Sequence, residues 1–212
     1  MQKRGYLNRW DERYSEHDWF YGTEPNDFLV SRIMAFKPGG LILSVGEGEG
    51  RNALYLLENG FSVFAIDLSS VGLEKLKKEA EKRGFADRLQ TEVVDVKDFQ
   101  FSANHFDGAI AIWCHLSPIT RVHFLRSMCK AIKDGGVLLI EGYREKQLEY
   151  KTGGPPTLDL MFSMADFLDN LADFNALVIE EKEREIHEGQ GHNGQSAVVQ
   201  YLGRRKARRL QV

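Results

Sequence analysis

The 212-residue sequence predicts an α/β protein: a doubly wound, mostly parallel seven-stranded sheet that closes with a C-terminal antiparallel hairpin. Three observations predict it. From residue 41 short apolar runs alternate with amphipathic helical stretches over short connections, the pattern of parallel strands joined by helices. A glycine-rich turn, GEGEG (46–50), lies where the first apolar run gives way to the first helical one. Near the carboxyl end two strand-like runs flank GQGHNGQ (189–195), a loop of turn-forming residues.

The elements follow in order. Residues 1–35 form an N-terminal segment rich in aromatics (Trp10, Tyr14, Trp19, Phe20, Tyr21 and Phe28) ahead of the sheet. LILSV (41–45) is a buried-strand run. Residues 51–59 read as a helix with Ala53, Leu54, Leu56 and Leu57 inward, ended by Gly60. SVFAID (62–67) is a second strand. Residues 72–83 are a charged helix with Leu73, Leu76 and Ala80 on one face, closed by Gly84. TEVVDV (91–96) and FDGAIAIWC (106–114) are the third and fourth strands. After Pro118, Ile119, Val122, Leu125, Cys129 and Ile132 recur at helical spacing, and Asp134-Gly135-Gly136 is the expected stop. VLLIEGY (137–143) is the fifth strand, completing a core over 41–143. Residues 144–175 hold a Gly153-Gly154-Pro155-Pro156 loop and a helix with Leu160, Met161, Met164, Phe167, Leu168 and Leu171. The hairpin occupies 176–203, and a basic tail, 204–212, ends the chain.

Composition bounds the function. One α/β domain accounts for this length. A net charge of −3 disfavours a dedicated nucleic-acid binder. No apolar run nears the ~20 residues that span a bilayer, and the first residues, MQKRGYLNRWDERY, lack the apolar stretch of a signal peptide. Cys114 and Cys129 offer neither a disulfide framework nor metal spacing. A cytoplasmic protein without a bound metal is expected, while oligomeric state is not encoded legibly.

In an open parallel sheet, ligands sit beyond the carboxyl ends of the strands at the switch point beside the first. Gly46, Gly48 and Gly50 lie there and open a helix, whose N-terminus favours an anionic group. A dinucleotide fingerprint needs a third glycine at 51, where Arg51 stands. Asp67 ends the second strand, where a carboxylate can take both ribose hydroxyls. Asp95 ends the third, within reach of an adenine amino group. The ligand predicted is an adenine nucleoside with a carboxylate end rather than a pyrophosphate.

GEGEGRNALYLLENGFSVFAIDLS (46–69) resembles the cofactor segment of the class I S-adenosylmethionine-dependent methyltransferases. It is most similar to their small-molecule branch, which includes tellurite-resistance and thiopurine methyltransferases. The resemblance covers 41–143, and the terminal hairpin by topology. It implies S-adenosyl-L-methionine as cofactor and S-adenosyl-L-homocysteine as product. Gly46, Gly48 and Gly50 would pack against the methionine end, Arg51 would hold its carboxylate, Asp67 the ribose and Asp95 the adenine. Ser44, Glu47, Asn52, Leu68, Val96 and Trp113 complete the expected cofactor set. Position 44 is usually acidic in the family; Ser44 can bond the loop but brings no charge.

The N-terminal segment is expected to wrap over the site as a lid, with Trp10, Tyr14 and Tyr21 burying the sulfonium. Tyr21, His115, Tyr143, Arg144, Glu188 and His192 are the candidate acceptor-site residues, on loops at the carboxyl side of the sheet. A thiol or chalcogen acceptor needs almost no base; an oxygen acceptor would need one, and His115 and His192 are the candidates. WCHLSP (113–118) lacks the Asn/Asp-Pro-Pro-aromatic motif of nucleic-acid amino methyltransferases. The expected partner is therefore a small acceptor. Two alternatives share the fold: a non-catalytic S-adenosylmethionine-binding module, motivated by Ser44 and the uncertain base, and an RNA methyltransferase, motivated by the basic tail.

Overall fold

The computed structural model describes residues 4–207. Residues 1–3 of the N-terminal segment and 208–212 of the basic tail lie outside that range. Two helices, α1 (Arg4–Glu16) and α2 (Asp27–Arg32), precede the sheet. The remainder alternates as β1 (Leu41–Val45), α3 (Arg51–Glu58), β2 (Ser62–Asp67), α4 (Ser70–Lys82), β3 (Leu89–Val93), β4 (Phe106–Ile112), α5 (Pro118–Ala131) and β5 (Ile132–Tyr143). Short helices α6 (Gln147–Tyr150) and α7 (Met164–Asn170) lead to the long hairpin β6 (Phe174–Glu188) and β7 (His192–Arg205). The strands form one seven-stranded sheet in the order β3-β2-β1-β4-β5-β7-β6. The first five are parallel, and β7 runs antiparallel between β5 and β6.

Strand β1 is central and buried on both faces, so its run is continuously apolar rather than alternating. Ile42 packs with Ala53, Leu54 and Leu57 of α3 and Leu73 and Leu76 of α4. Leu43 and Val45 face the other layer, with Phe124, Leu125 and Met128 of α5 and Phe167 of α7. The sheet order reverses between β1 and β4, and this opens a crevice at their carboxyl ends.

Several boundaries differ from the sequence-based expectation, each for a local reason. The third strand ends at Val93, the last partner of β2 (Asp67↔Val93), and Asp95 starts the following turn. The fourth ends at Ile112 because Trp113 turns to a left-handed φ of 56°. Helix α4 begins at Ser70, not 72: Ser69 caps it by accepting the Gly72 N–H. Asp134-Gly135-Gly136 does not stop α5, which ends at Ala131; it forms an irregularity within β5, where the register to β4 shifts. The late helix starts at Met164, fixed by a Ser163–Asp166 capping box, so Leu160 and Met161 lie ahead of it.

Candidate active site

The glycine loop is clamped at both ends. The N–H groups of Gly46 and Glu47 donate to Ile66 O of β2. Gly46 and Gly48 hold φ of 67° and 66°, where L side chains are strained. A Cβ on Gly48 would stand 2.7 Å from the Tyr14 hydroxyl, and one on Gly46 would stand 2.8 Å from Cys114 Sγ. Gly50 caps α3 without a side-chain bond. Beneath the loop Glu47 accepts from the Ser44 hydroxyl and from the Ala53 N–H at 2.9 Å. Burial pushes the Glu47 carboxyl up to about 7.

Asp67 accepts the N–H groups of Gly48 and Ser69, both at 2.8 Å, which fixes its carboxylate beside the loop. Burial raises it to about 6 against the pull of those bonds. Asp95 sits at the rim, paired with Lys97. Over both lies α1. Its Asp11 accepts from the Ser69 hydroxyl at 2.6 Å and the Val71 N–H at 3.2 Å, pinning α1 to the N-terminus of α4. Tyr14 is thereby buried over Gly48, and Trp10 stacks on it at 5.9 Å. Helix α1 of the N-terminal segment thus packs over the glycine loop.

Together these groups enclose a cavity of about 380 Å³. Its walls include Trp10, Tyr14, Gly46, Glu47, Gly50, Arg51, Asn52, Asp67, Leu68, Asp95 and Val96, all expected on the cofactor side. Gly48 meets the lid through Tyr14, and Ser44 lies below the loop, bonded to Glu47. At the far end stand Tyr21, Trp113, His115, His192 and the loop from Gly153 to Pro156. Tyr21 stacks on His192 at 4.6 Å, and Trp113 stacks on Tyr143 at 4.5 Å.

Three expected acceptor contacts need correction, and so does one base. Arg144 faces Glu181 and Glu183 on the hairpin, away from the cavity wall. Tyr143 is fully buried behind the wall, its hydroxyl bonded to His192 Nδ1 at 2.7 Å. Glu188 also lies behind the wall. It accepts from Arg51 Nη2 at 2.5 Å, from Asn26 Nδ2 at 2.8 Å and from Trp113 Nε1. His115 reaches the wall, but its Nδ1 meets Leu160 O at 3.0 Å and its Nε2 meets the Tyr143 N–H at 3.4 Å. Burial lowers it to about 4, which favours the neutral ring, with both nitrogens engaged. His192 is likewise held neutral by burial, with Nδ1 engaged by Tyr143.

A buried polar network supports this wall, and sequence reading missed most of it. Asn26, fully buried, donates to Glu141 at 2.6 Å and to Glu188, while its N–H donates to Asn52 at 3.0 Å. Arg184 pairs with Glu141 at 3.0 Å, and Gln200 donates to Glu141 at 2.6 Å. Two carboxylates thus meet two guanidiniums with every member bonded. Only the apolar-facing positions of Glu141 and Gln200 in otherwise buried strands signalled anything unusual.

Strand order, the glycine loop and the adjoining carboxylate define the class I methyltransferase fold. Within it, residues 42–136 match the family described as a methyltransferase domain. The chain is 31% identical over 171 residues to phosphoethanolamine N-methyltransferase 2 of Caenorhabditis elegans, covering 72% of this chain and spanning 37% of that relative's length. Its fold superposes on TehB of Haemophilus influenzae with a TM-score of 0.72 at 20% identity, over 93% of this chain and 67% of that one. It also superposes on the 1,6-didemethyltoxoflavin-N1-methyltransferase of Burkholderia thailandensis, solved with S-adenosylhomocysteine, with a TM-score of 0.60 at 18% identity, over 85% and 76% of the two chains. Shorter sequence matches include methyltransferases of ribosomal and transfer RNA. Among the described residues no helix is long and apolar enough to cross a membrane.

Proposed function

We propose that the chain transfers the methyl group of S-adenosylmethionine to a small-molecule acceptor. One observation carries the reading. One cavity is lined both by the glycine loop and Asp67 and by Tyr21, Trp113, His115 and His192. The donor set fits the cofactor: a bare loop, a buried carboxylate for hydroxyls, and aromatic faces suited to a cation. Bound there, S-adenosylmethionine supplies an electrophilic methyl group on a sulfonium. In this reading Arg51, at the first turn of α3, would meet the methionine carboxylate, Asp67 the ribose and Asp95 the adenine.

The protein's remaining work is alignment and exclusion of water. Tyr14 and Trp10 close the lid, and Tyr21, stacked on His192, borders the acceptor end. With both His115 nitrogens engaged, a thiol or chalcogen acceptor suits the site best, because it needs almost no base. For an oxygen acceptor His192 is the one candidate; the Tyr143 hydroxyl holds its Nδ1 and orients the ring.

A small acceptor is favoured over RNA by the fate of the basic tail. Arg205 pairs with Asp173 at 2.9 Å, Arg204 donates to Gly135 O and Ala35 O, and Lys206 donates to Ala172 O. These three cations of the described residues are engaged within the protein. Two unpaired cysteines suit a reducing compartment such as the cytoplasm.

Calorimetric titration with S-adenosylmethionine and S-adenosylhomocysteine tests the reading. Micromolar or tighter binding that Asp67→Ala removes supports it, and no binding to the unaltered protein rejects it.

A further inference from the structure

We propose that Arg9 and Arg13 form an anion clamp at the mouth of the acceptor end, so that the acceptor carries a carboxylate or phosphate group. This deepens the methyltransferase reading and rests on it.

The two arginines stand one helical turn apart on α1, and both line the cavity. Like charges at that spacing repel, and exposed arginines on helices ordinarily lean toward nearby acids. Among the described residues neither has a carboxylate within 4.0 Å, and Arg9 has no hydrogen-bond partner. Arg13 is fixed rather than wandering. Its guanidinium lies 4.9 Å over the rings of both Trp10 and Phe20, and Nη1 donates to the Tyr21 hydroxyl at 2.8 Å. A guanidinium carries five donors, so most of Arg13's capacity remains unspent.

The acids of the cavity do not compensate. Glu49 is committed to Lys75 at 2.7 Å and to the Phe20 N–H at 2.8 Å. Asp67 holds two backbone N–H groups, Glu47 faces Ser44 and Ala53, and Asp95 pairs with Lys97. Arg51, the third cation on the wall, is already paired with Glu188. His192, which Tyr21 stacks against, is neutral and cannot add or cancel charge. What remains at the acceptor end is a pair of guanidiniums without a carboxylate partner, Arg13 preorganised on aromatic faces and by Tyr21. Planar guanidiniums suit bidentate contact with carboxylate or phosphate oxygens. Arg13 also touches Tyr21, which lies on the acceptor wall, so an anion held there would sit within the same enclosure.

Titration of the protein with benzoate, its neutral counterpart benzamide, and inorganic phosphate tests this, each run with and without saturating S-adenosylhomocysteine. The expected result is benzoate or phosphate binding at least about tenfold tighter than benzamide, with the preference lost in Arg9→Gln and weakened in Arg13→Lys, which retains the charge but not the fork. Whichever anion wins tells carboxylate from phosphate. Equal affinity for benzoate and benzamide with no phosphate binding, or a preference that survives both substitutions, overturns the clamp. Arg9→Gln alters an exposed side chain, so loss of folding does not cloud that arm. Failure of S-adenosylhomocysteine to bind rejects the methyltransferase reading, while the ligand-free titrations still decide the clamp.

Discussion

Breaking the Arg51–Glu188 pair is the sharpest test of how the site is held. The perturbation is Glu188→Ala. The side chains of Arg51 and Glu188 are 7% and 5% exposed, so solvent screens the pair little. Removing the carboxylate leaves Arg51 without its counter-charge and takes an acceptor from the Asn26 amide and the Trp113 indole N–H, while Arg51 keeps Glu24 O and Asn26 keeps Glu141. A buried ion pair broken on one side costs about 3–5 kcal/mol. For a domain of this size that lowers Tm by about 6–20 °C. The physical claim is that the cost comes from the orphaned charge, not from the worth of the pair. Arg51→Met combined with Glu188→Met should therefore recover most of the loss, ending within about 1–2 kcal/mol of the unaltered protein, the residue being two neutral donors without acceptors. Scanning calorimetry and urea unfolding of both variants provide the measurement. A Tm shift below about 2 °C for Glu188→Ala would refute the reasoning, since the network would then be dispensable. A double variant as unstable as the single one would refute the assignment of the cost to stranded charge.

Other consequences can be measured in the same preparations. Gly48→Ala forces a left-handed residue against the Tyr14 hydroxyl, at about 1–2 kcal/mol for backbone strain alone, and should abolish S-adenosylhomocysteine binding while leaving a folded protein. Asp11→Ala unpins the lid by removing a cap worth about 1 kcal/mol, so the ligand should leave several-fold faster in stopped-flow displacement of bound S-adenosylhomocysteine. Glu47 holds its proton up to about pH 7 when folded but gives it up near 4.5 when unfolded. Its contribution therefore favours the fold at low pH and is lost as pH rises from about 4.5 to 7, whereas His115, lowered to about 4, contributes in the opposite sense. Glu47→Gln removes only the first contribution, so its Tm relative to the unaltered protein should improve between pH 5 and 8. A constant difference across that range would show that Glu47 does not titrate there.

The fold was largely legible because its signals are local and periodic. Continuous apolar runs with short helical crossovers admit few arrangements. GEGEG and Asp67 were expected side by side at the carboxyl edge, and the Gly48 N–H does donate to Asp67 there. Errors gathered where the deciding contact was distant. Asp134-Gly135-Gly136 has the composition of a helix stop, yet pairing with β4 claims it for a strand irregularity. His115 follows a strand at the correct edge, yet Leu160 O and the Tyr143 N–H occupy its nitrogens from elsewhere in the chain. Arg144 follows β5 as expected and Glu188 ends β6, yet the first turns to Glu181 and Glu183 and the second to Arg51 and Asn26 behind the wall.

By itself, then, the amino-acid sequence determined the alternation of strands and helices, the glycine turn and the carboxylate of Asp67 at the end of β2, because each depends on neighbours a few residues away and on the handedness of crossovers. Only the tertiary structure decided which polar groups remain free to meet a ligand. Asn26 meets Glu141 and Glu188 across 115 and 162 residues of chain, and Arg184 joins Glu141 behind the wall, while Arg9 and Arg13 reach the mouth of the cavity without a carboxylate partner. Hydrogen-bond and charge satisfaction is a property of three-dimensional neighbours, and no period or motif along the chain reports it.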